Sequence, residues 1–476
     1  MYLNDFNAAT LIIVLLGWYL LQAIAYYKFF EKAGEQGWIG FVPFYNYYVH
    51  MKIVGRPTWW VALLFVPVIN FFVALTIHLD LLKSFDRFSY FDQAVGVILA
   101  PFYMVFVAYG NTKYVGKAVD IPKKPKSQGQ EWFEAIVFAV FAATCIRWVF
   151  MEAYVIPTPS MEKSLLVGDF LFVSKIEYGP RTPKTPIQIP LTHAKIWGTD
   201  VPSYVSSVQL PQFRLPSLGK VERNDVVVFN YPPEFQHPKD LRTHYIKRCV
   251  GIPGDTVVVE NSQVIVNGVP SDNPELMQHS YRVFTKETIR DRVFEEIDIS
   301  EISKQAFGYG VQTSQDKADK LAALPFVDRV EQVMMEPGVR EPGFGQPIFP
   351  DFEFYPWNKD QYGPLEVPFR GMTIPIDERM LAKYGSTIRD YEDLQDVSVT
   401  DGELVVNGDK LSEYTFKKDY YFMMGDNRHN SLDSRYWGFV PEDFIVGEAS
   451  FIWMSHEANK GLFSGVRWSR LFNGIK

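Results

Sequence analysis

Apolar residues dominate the first third of the chain, whereas the rest alternates between short apolar runs and polar stretches. Four segments in the first third are apolar enough to cross a bilayer, which needs about 20 residues per helix. These segments are residues 8–27, 59–79, 94–109 and 132–150. After residue 169 the apolar runs are bounded by turn residues, a pattern typical of β-strands. The pattern predicts a multi-domain protein, with an α-helical membrane region of about four transmembrane helices and a mostly β domain.

Lysine and arginine are distributed unevenly around these segments, which indicates an orientation because cytoplasmic loops carry an excess of both residues. The loops after the first and third segments are richer in them than the N-terminus and the loop after the second segment. Lys123, Lys124 and Lys126, for example, precede the fourth segment. We therefore expect both richer loops in the cytoplasm and everything after residue 150 outside. No small-residue cleavage site follows the first segment, so we expect it to remain as an anchor.

The chain divides into four parts by composition. Residues 1–120 are predicted to form an N-terminal membrane domain with three transmembrane helices, and residues 121–131 a polar cytoplasmic linker. Residues 132–150 are the fourth helix, and residues 151–476 form the outer domain. Proline residues within the second and third segments can kink those helices or make them re-entrant.

Two stretches interrupt the short strands of the outer domain. Residues 178–220 are rich in proline, serine and threonine, so we expect an irregular excursion. Residues 271–396 contain patches of helical periodicity, and loops of this length usually form a subdomain of their own or carry function. We expect this second stretch to be a large α+β cap insertion beside the functional site.

Charge and cysteine content exclude some classes of function. The formal net charge is −8 and no domain is strongly basic, which argues against a nucleic-acid partner. Membrane lipid is the partner that the apolar segments predict. The two cysteines, Cys145 and Cys249, give no disulfide framework, and we expect both to be small buried side chains.

Ser160 is the candidate nucleophile of the outer domain. It follows the fourth apolar segment directly, after Pro157 and Pro159. Proline fixes its own φ and pushes the residue before it into an extended conformation. An extended backbone beside a serine suits a protease that binds its substrate as an additional strand.

A serine hydroxyl is a weak nucleophile and needs a base. Strand alternation places Tyr245 and Lys247 on one face and His244 on the other, so we expect a packing or surface role for His244. Lys163 completes the S-x-x-K pattern of penicillin-binding proteins, but that pattern needs a helix, and we expect Lys163 in solvent. Lys247 is flanked by apolar residues, and burial would lower its pKa by about 3 units towards neutrality. Ser-Lys is a known variant of the serine triad.

Four sequence boxes in this order resemble those of bacterial type I signal peptidases, which use a Ser/Lys dyad. The boxes are Ser160-Met161 and residues 224–229, 245–255 and 425–435. The resemblance extends from about residue 147 to residue 470. In addition, residues 37–48 resemble a small membrane domain of unknown role that is attached to other bacterial proteins.

This chain departs from the signal peptidase pattern at three positions. That family usually has proline where this chain has Lys163, threonine at Ser164 and glycine at Asn224. These differences concern local turn geometry.

The resemblance implies a membrane-bound serine endopeptidase that cleaves signal peptides after small residues, of the Ala-X-Ala type. It implies signal-peptide-bearing preproteins as partners, no cofactor and no metal. The outer domain should be mainly antiparallel β, on the outer face of the plasma (inner) membrane of a multi-pass protein.

The resemblance also implies roles for individual residues. Ser160 is the nucleophile and Lys247 the general base, while the Ser160 N–H and the Thr158 hydroxyl form the oxyanion hole. Ser431 should form a hydrogen bond with Lys247. Asp433 and Arg435 should form a supporting ion pair, and Gly425 should allow a close approach of the backbone. Shallow apolar pockets for the substrate are lined by Tyr154, Ile156, Pro157, Met161, Leu165, Tyr245 and Ile246.

Two other interpretations stay open at this point. One is a penicillin-binding-type acyl-serine enzyme that uses Ser160 and Lys163. The other is a non-enzymatic membrane scaffold or transporter whose outer β domain only binds partners.

Overall fold

The computed structural model describes most of the chain, apart from both termini and a few short segments. The described residues are 8–66, 69–122, 127–341, 345–400, 402–457, 459–461 and 463–475. Lys123, Lys124 and Lys126, which enter the orientation argument, lie outside them, as does Pro67. The chain divides into two compact units, Met1–Ile146 with Ser207–Pro211, and Arg147–Ser206 with Gln212–Lys476.

The first unit is helical. Its helices are α1 (Ala8–Lys32), α2 (Tyr45–Val54), α3 (Trp60–Leu63), α4 (Ile69–Ser84), α5 (Tyr90–Ile98) and α6 (Phe102–Tyr109), with a 3-10 turn at Gly37–Phe41 and α7 (Gln128–Val149) reaching into the second unit. Buried side chains of α1, α2, α4 and α6 form one hydrophobic core, with Phe29 packed against Phe85 (ring centroids 4.5 Å apart).

The helices of the first unit are shorter than the sequence predicts at two places. The predicted segment 59–79 corresponds to α3 and α4, and the predicted segment 94–109 to α5 and α6. Pro101 precedes α6 and has no N–H to donate, so a helix cannot continue through it without losing a hydrogen bond. Among the described residues, one helix is both long and apolar enough to span a membrane, namely α7, which begins at Gln128 rather than at residue 132. The number of four spans therefore stays a prediction.

The second unit is mainly β, with short helices α8 (Asp291–Glu296), α9 (Gln315–Ala322), α10 (Glu378–Tyr391) and α11 (Ser434–Trp437). The strands are β1 (Met151–Val155), β2 (Asp169–Ser174), β3 (Val226–Asn230), β4 (His244–Gly251), β5 (Thr256–Glu260), β6 (Gln263–Val266), β7 (Val269–Pro270), β8 (His279–Phe284), β9 (Glu301–Gln305), β10 (Gly308–Thr313), β11 (Arg329–Gln332), β12 (Tyr362–Glu366), β13 (Thr373–Pro375), β14 (Val397–Thr400), β15 (Glu403–Val406), β16 (Asp409–Leu411), β17 (Glu413–Thr415), β18 (Tyr420–Met424), β19 (Val440–Pro441), β20 (Ile445–Ser455) and β21 (Asn473–Gly474). The pairs between these named strands are antiparallel, which confirms the mainly antiparallel β architecture.

The largest sheet has the strand order β1-β2-β20-β3-β4-β18-β19, and β21 pairs with β20. Successive side chains of a strand point to opposite faces. Accordingly, Val227 and Phe229 of β3 enter one buried cluster, whereas Val226 and Val228 enter another. Because both faces are covered, this strand is a continuous apolar run rather than an alternating one.

The two insertions differ in character. Residues 178–220 contain isolated β-bridges but no helix or strand. Residues 271–396 contain a four-stranded sheet of order β11-β8-β10-β9, which packs with α8 and α9 around its own core. The first part of this range, through β11, therefore forms an α+β subdomain. The later part does not belong to it, because β12 pairs with β5, β13 pairs with β17, and α10 packs into the main hydrophobic core. A single cap over residues 271–396 stays a prediction.

Candidate active site

The segment that carries Ser160 follows β1 and is tied to the start of β2. Ile156 N donates to Asp169 O at 2.9 Å. Thr158 is extended (φ −132°, ψ 153°), as expected before a proline, and Pro159–Met161 form a single 3-10 turn. Ser160 is 8% exposed, so this turn presents the hydroxyl in a nearly dry environment.

Lys247 lies on β4 opposite Val227 of β3, and its amine reaches the hydroxyl of Ser160. Lys247 Nζ donates to Ser160 Oγ at 2.7 Å and to Ile246 O at 2.9 Å. Burial lowers the pKa of Lys247 to about 8, because desolvation disfavours the charged ammonium. The serine and the lysine that the sequence singles out are thus in direct contact, and the lysine titrates near neutral pH.

Gly425 brings a second backbone segment against the nucleophile. A Cβ atom at Gly425 would lie 2.5 Å from Ser160 O and would also collide with the Ser431 hydroxyl. Only glycine fits such a close approach. Gly425 therefore has the packing role that the resemblance implies.

Ser431 corrects one expectation. Its side chain is buried beside Gly425, but among the described residues no hydrogen bond joins Ser431 Oγ to Lys247. Lys247 instead directs its amine to Ser160 Oγ and Ile246 O. The predicted Ser431–Lys247 hydrogen bond is therefore wrong for this structure, in which the Ser431 hydroxyl acts on Asp433 and helps to lower the pKa of that carboxyl.

Asp433 and Arg435 form the expected ion pair. Arg435 Nε and Nη2 donate to the two carboxylate oxygens of Asp433 at 2.9 and 2.8 Å, and both side chains are buried. Burial raises the pKa of Asp433, but Arg435 outweighs burial and holds it below the usual value. Gly425 N also donates to Asp433 at 3.1 Å, so the ion pair fixes the loop that touches Ser160.

A second buried ion pair was not predicted. Arg248 Nε and Nη2 donate to Asp426 at 2.8 and 2.7 Å, and Ser164 Oγ donates to the same carboxylate at 2.7 Å. Bidentate pairs of this kind fix orientation as well as charge. The signal was available, because Arg248 and Asp426 are immediate neighbours of Lys247 and Gly425 within the sequence boxes.

Asn427 is a further residue that the sequence interpretation missed. Its backbone N donates to Ser160 O at 3.1 Å, and its side-chain Nδ2 donates to Pro159 O at 3.2 Å. Asn427 therefore holds the peptide groups on both sides of the Ser160 Cα.

Several apolar residues of the predicted substrate pockets belong to the core behind the nucleophile turn. Ile156, Met161 and Leu165 are buried there, and Tyr154 and Ile246 pack against the same cluster. The remaining two differ in environment. Pro157 is exposed. The half-buried Tyr245 stacks on Tyr231 (ring centroids 4.3 Å apart), and the amine of Lys247 lies 5.4 Å from the centroid of the Tyr245 ring. A pocket role for these residues stays a prediction, as does the oxyanion role of the exposed Thr158.

Lys163 is not in solvent, which corrects the second expectation. Its side chain is 12% exposed and its amine lies 2.8 Å from Asp298 of the second insertion. The chain leaves the 3-10 turn at Glu162 (ψ 144°), and Lys163 has a positive φ of 71°. Because no helix connects Ser160 and Lys163, the S-x-x-K geometry is not formed.

His244 packs against neighbouring rings, in keeping with the strand alternation. Its ring centroid is 4.8 Å from that of Tyr154 and 4.3 Å from that of His193. Burial holds the pKa of His244 well below its usual value.

Two family models match parts of the chain, and several curated proteins are similar to it. The model of the family "Signal peptidase, peptidase S26" matches residues 129–326 and 366–454, and that of a family of unknown function (DUF5684) matches residues 38–117. The chain is 27% identical over 354 residues to a signal peptidase I of Buchnera aphidicola subsp. Acyrthosiphon pisum, covering 73% of this chain and 84% of the relative. It is 25% identical over 354 residues to the signal peptidase I of Haemophilus influenzae, covering 74% and 78%. For the signal peptidase I of Pseudomonas aeruginosa the identity is 26% over 336 residues, covering 68% and 72%.

Proposed function

The chain belongs to the peptidase S26 family of signal peptidases, and we propose that it removes signal peptides from exported preproteins with Ser160 as nucleophile and Lys247 as general base. The observation that carries this assignment is the 2.7 Å contact between Lys247 Nζ and Ser160 Oγ. A buried lysine with a pKa of about 8 is neutral in a fraction of molecules near pH 7 and can accept a proton.

The proposed reaction begins when the neutral amine of Lys247 takes the proton of the Ser160 hydroxyl. Ser160 Oγ then attacks the scissile carbonyl and forms a tetrahedral intermediate. The Ser160 N–H and the Thr158 hydroxyl are the proposed donors to its oxyanion. Lys247 returns the proton to the leaving amine, and water, deprotonated by the same amine, hydrolyses the acyl-enzyme.

The substrate side of the proposal follows the family. We propose that the substrate pockets beside the Pro159–Met161 turn are shallow, because buried apolar side chains fill the space behind that turn. Shallow pockets suit small substrate residues before the cleaved bond. The proposed lining residues are Tyr154, Ile156, Pro157, Met161, Leu165, Tyr245 and Ile246.

Membrane attachment is supported by α7, which fits a membrane anchor directly before the catalytic domain. The finer proposal has four transmembrane helices, with residues 151–476 on the outer face of the plasma (inner) membrane. The lysine and arginine bias of the loops supports it. In this arrangement the dyad faces the compartment in which exported preproteins carry their signal peptides.

The two other interpretations explain less. A penicillin-binding-type enzyme would need Lys163 beside Ser160, but the Lys163 amine pairs with Asp298. A scaffold or transporter would give no reason for a buried lysine that points at a serine hydroxyl.

Cleavage of a preprotein by purified full-length protein tests the proposal. Wild type should release the signal peptide, while Ser160→Ala and Lys247→Ala should both be nearly inactive, because members of a catalytic unit are not additive. Lys163→Ala is the matched lysine control and should keep most activity. An active Lys247→Ala beside an inactive Lys163→Ala would overturn the assignment in favour of the S-x-x-K enzyme.

A further inference from the structure

Residues of the insertion 271–396 contact the loop that faces Ser160, in addition to the separate core formed between Tyr281 and Val327. Gln278 N donates to Asp426 O at 2.9 Å, and Arg428 N donates back to Gln278 O at 2.9 Å. His429 Nε2 lies 2.7 Å from Asp360, which also belongs to the insertion. The loop 425–430 is therefore held from the insertion side at several points.

Glu301 makes the contact nearest to the nucleophile. It is the first residue of β9, an edge strand of the inserted sheet. Its carboxylate accepts a hydrogen bond from Asn430 Nδ2 at 3.1 Å and from Asn427 Nδ2 at 3.3 Å. Because Asn430 N donates to Asn427 O at 3.0 Å, the carboxylate joins two side chains of a turn that is already closed.

Asn427 links Glu301 to the peptide group that precedes Ser160, because its side-chain amide contacts both. Its amide nitrogen carries two hydrogens, and the structure divides them between Glu301 and Pro159 O. Pro159 O and Ser160 N–H belong to one planar peptide unit and point in opposite directions. Fixing the direction of Pro159 O therefore fixes the direction of the Ser160 N–H.

The same insertion also contacts residues that follow Ser160 in the chain. Lys163 is paired with Asp298, as described above. Glu162 is buried, and burial together with the nearby Glu301 carboxylate raises the pKa of Glu162 to about 7. The insertion thus touches the residues that follow Ser160 as well as those that hold it.

We propose that Glu301 is a positioning residue for peptide hydrolysis, acting through Asn427 and Asn430 to orient the Ser160 N–H towards the oxyanion. This inference rests on the proposed function, in which that N–H is an oxyanion donor. It gives the inserted subdomain a part in the chemistry, because β9 supplies a carboxylate that the catalytic sheet itself does not provide at this turn.

Steady-state cleavage of a preprotein by full-length Glu301→Ala tests the inference. Without the carboxylate, Asn427 loses one of its two anchors, and the Ser160 N–H is less well aimed at a charge that exists only in the transition state. We expect kcat to fall roughly tenfold, less than the 10²–10³-fold cost of deleting an oxyanion donor outright. KM should change little. Glu301→Gln keeps one oxygen acceptor and should recover most of kcat.

Two further variants separate positioning from folding. Glu331→Ala removes a glutamate from β11, the opposite edge strand of the same sheet, and should leave kcat unchanged. Asn430→Ala removes the second amide of the turn and should lower kcat in the same direction as Glu301→Ala. The double variant should be no slower than the slower single variant, because the two residues act as one unit.

The opposite results would overturn the inference. They are a kcat for Glu301→Ala within about threefold of wild type, a loss confined to KM, or additive losses in the double variant. If Glu301→Ala does not fold, Asn430→Ala decides alone: a roughly tenfold lower kcat supports the inference, and a kcat within about threefold of wild type overturns it. The proposed function is judged separately, since it holds when wild type cleaves and Ser160→Ala does not, whatever Glu301→Ala shows.

Discussion

Lys247 acts as a base only when its amine can lose a proton near neutral pH, and two buried carboxylates oppose that loss. Burial lowers the pKa of Lys247, while Asp433 and Asp426 raise it. Each carboxylate is paired with its own arginine, Arg435 or Arg248. A paired carboxylate presents less net charge to a third group, so desolvation of the lysine dominates. The two ion pairs thus favour the neutral amine that the proposed base needs, in addition to fixing the loop.

The pH profile of cleavage should show this balance. Only the neutral amine accepts a proton, so kcat/KM should rise with pH through the pKa of Lys247, about 8. Asp433→Asn removes the carboxylate that raises the pKa of Lys247 more than Asp426 does, and the rise should move to lower pH. Asp298→Asn, a change at an exposed carboxylate, serves as the control and should leave the profile in place. A rise at the same pH in Asp433→Asn would contradict this account of the lysine.

Thr158 gives a test of the oxyanion hole. Thr158→Val keeps the β-branched shape but removes the hydroxyl, and we expect kcat to fall roughly 10²–10³-fold with the fold intact. Thr158→Ser retains the donor and should stay close to wild type. Steady-state kinetics and thermal unfolding of both variants check the prediction. If Thr158→Val kept the wild-type kcat, the residue would have no part in the mechanism.

At the scale of single residues, the sequence predicts the contact between Ser160 and Lys247 better than the contacts around it. Ser160 and Lys247 follow from boxes that are local in sequence, together with strand alternation. The partner of Lys163 does not, because Asp298 is 135 residues away and lies in an insertion that local patterns describe only as a subdomain. Asn427 and Glu301 were missed for the same reason, since their roles depend on which distant segments meet.

Among the elements, tight turns are the most predictable feature. The sequence Val-Asn-Gly, a favoured tight-turn signal, occurs at residues 266–268 and 406–408. Both copies form turns, with φ of 53° and 78° at Asn267 and Gly268 and of 52° and 87° at Asn407 and Gly408. The membrane segments are less predictable, because an apolar run specifies length but not where a helix is interrupted. The division between α5 and α6 shows this, as hydropathy alone gives one continuous segment there.

Asn224 tests the turn that leads into β3. It has a positive φ of 75°, and its carbonyl accepts a hydrogen bond from Arg248 at 2.7 Å. A β-branched side chain tolerates this conformation poorly, so Asn224→Val should destabilise the fold by about 1–2 kcal/mol. Asn224→Gly adopts the same φ without strain and should keep wild-type activity. Thermal unfolding of both variants is the measurement, and equal stability would show that the turn relaxes.

At the scale of the whole molecule, sequence and structure agree more fully for the β unit than for the helical unit. In the catalytic unit the antiparallel sheets, the buried dyad and the family match agree with one another. For the helices before residue 120 the sequence predicts three spans, whereas the candidate span found among the described residues is α7, which corresponds to the fourth predicted segment. The lengths of the short helices α3 to α6 do not determine which of them cross a bilayer or in which direction. The orientation therefore depends on the charge bias of the loops.

Reporter fusions to the full chain test that orientation. Lysine and arginine are retained on the cytoplasmic side, so a reporter fused after residue 126 should be cytoplasmic and one fused at residue 271 should be external. An enzyme that is active only outside the cytoplasm should therefore work at the second site and fail at the first, while a reporter that needs the cytoplasm should give the reverse pattern. If a reporter that works only outside the cytoplasm were active after residue 126, the predicted four-helix topology would be wrong. Activity at the second site would still be required, because a signal peptidase must meet its substrates where the signal peptide emerges from the membrane.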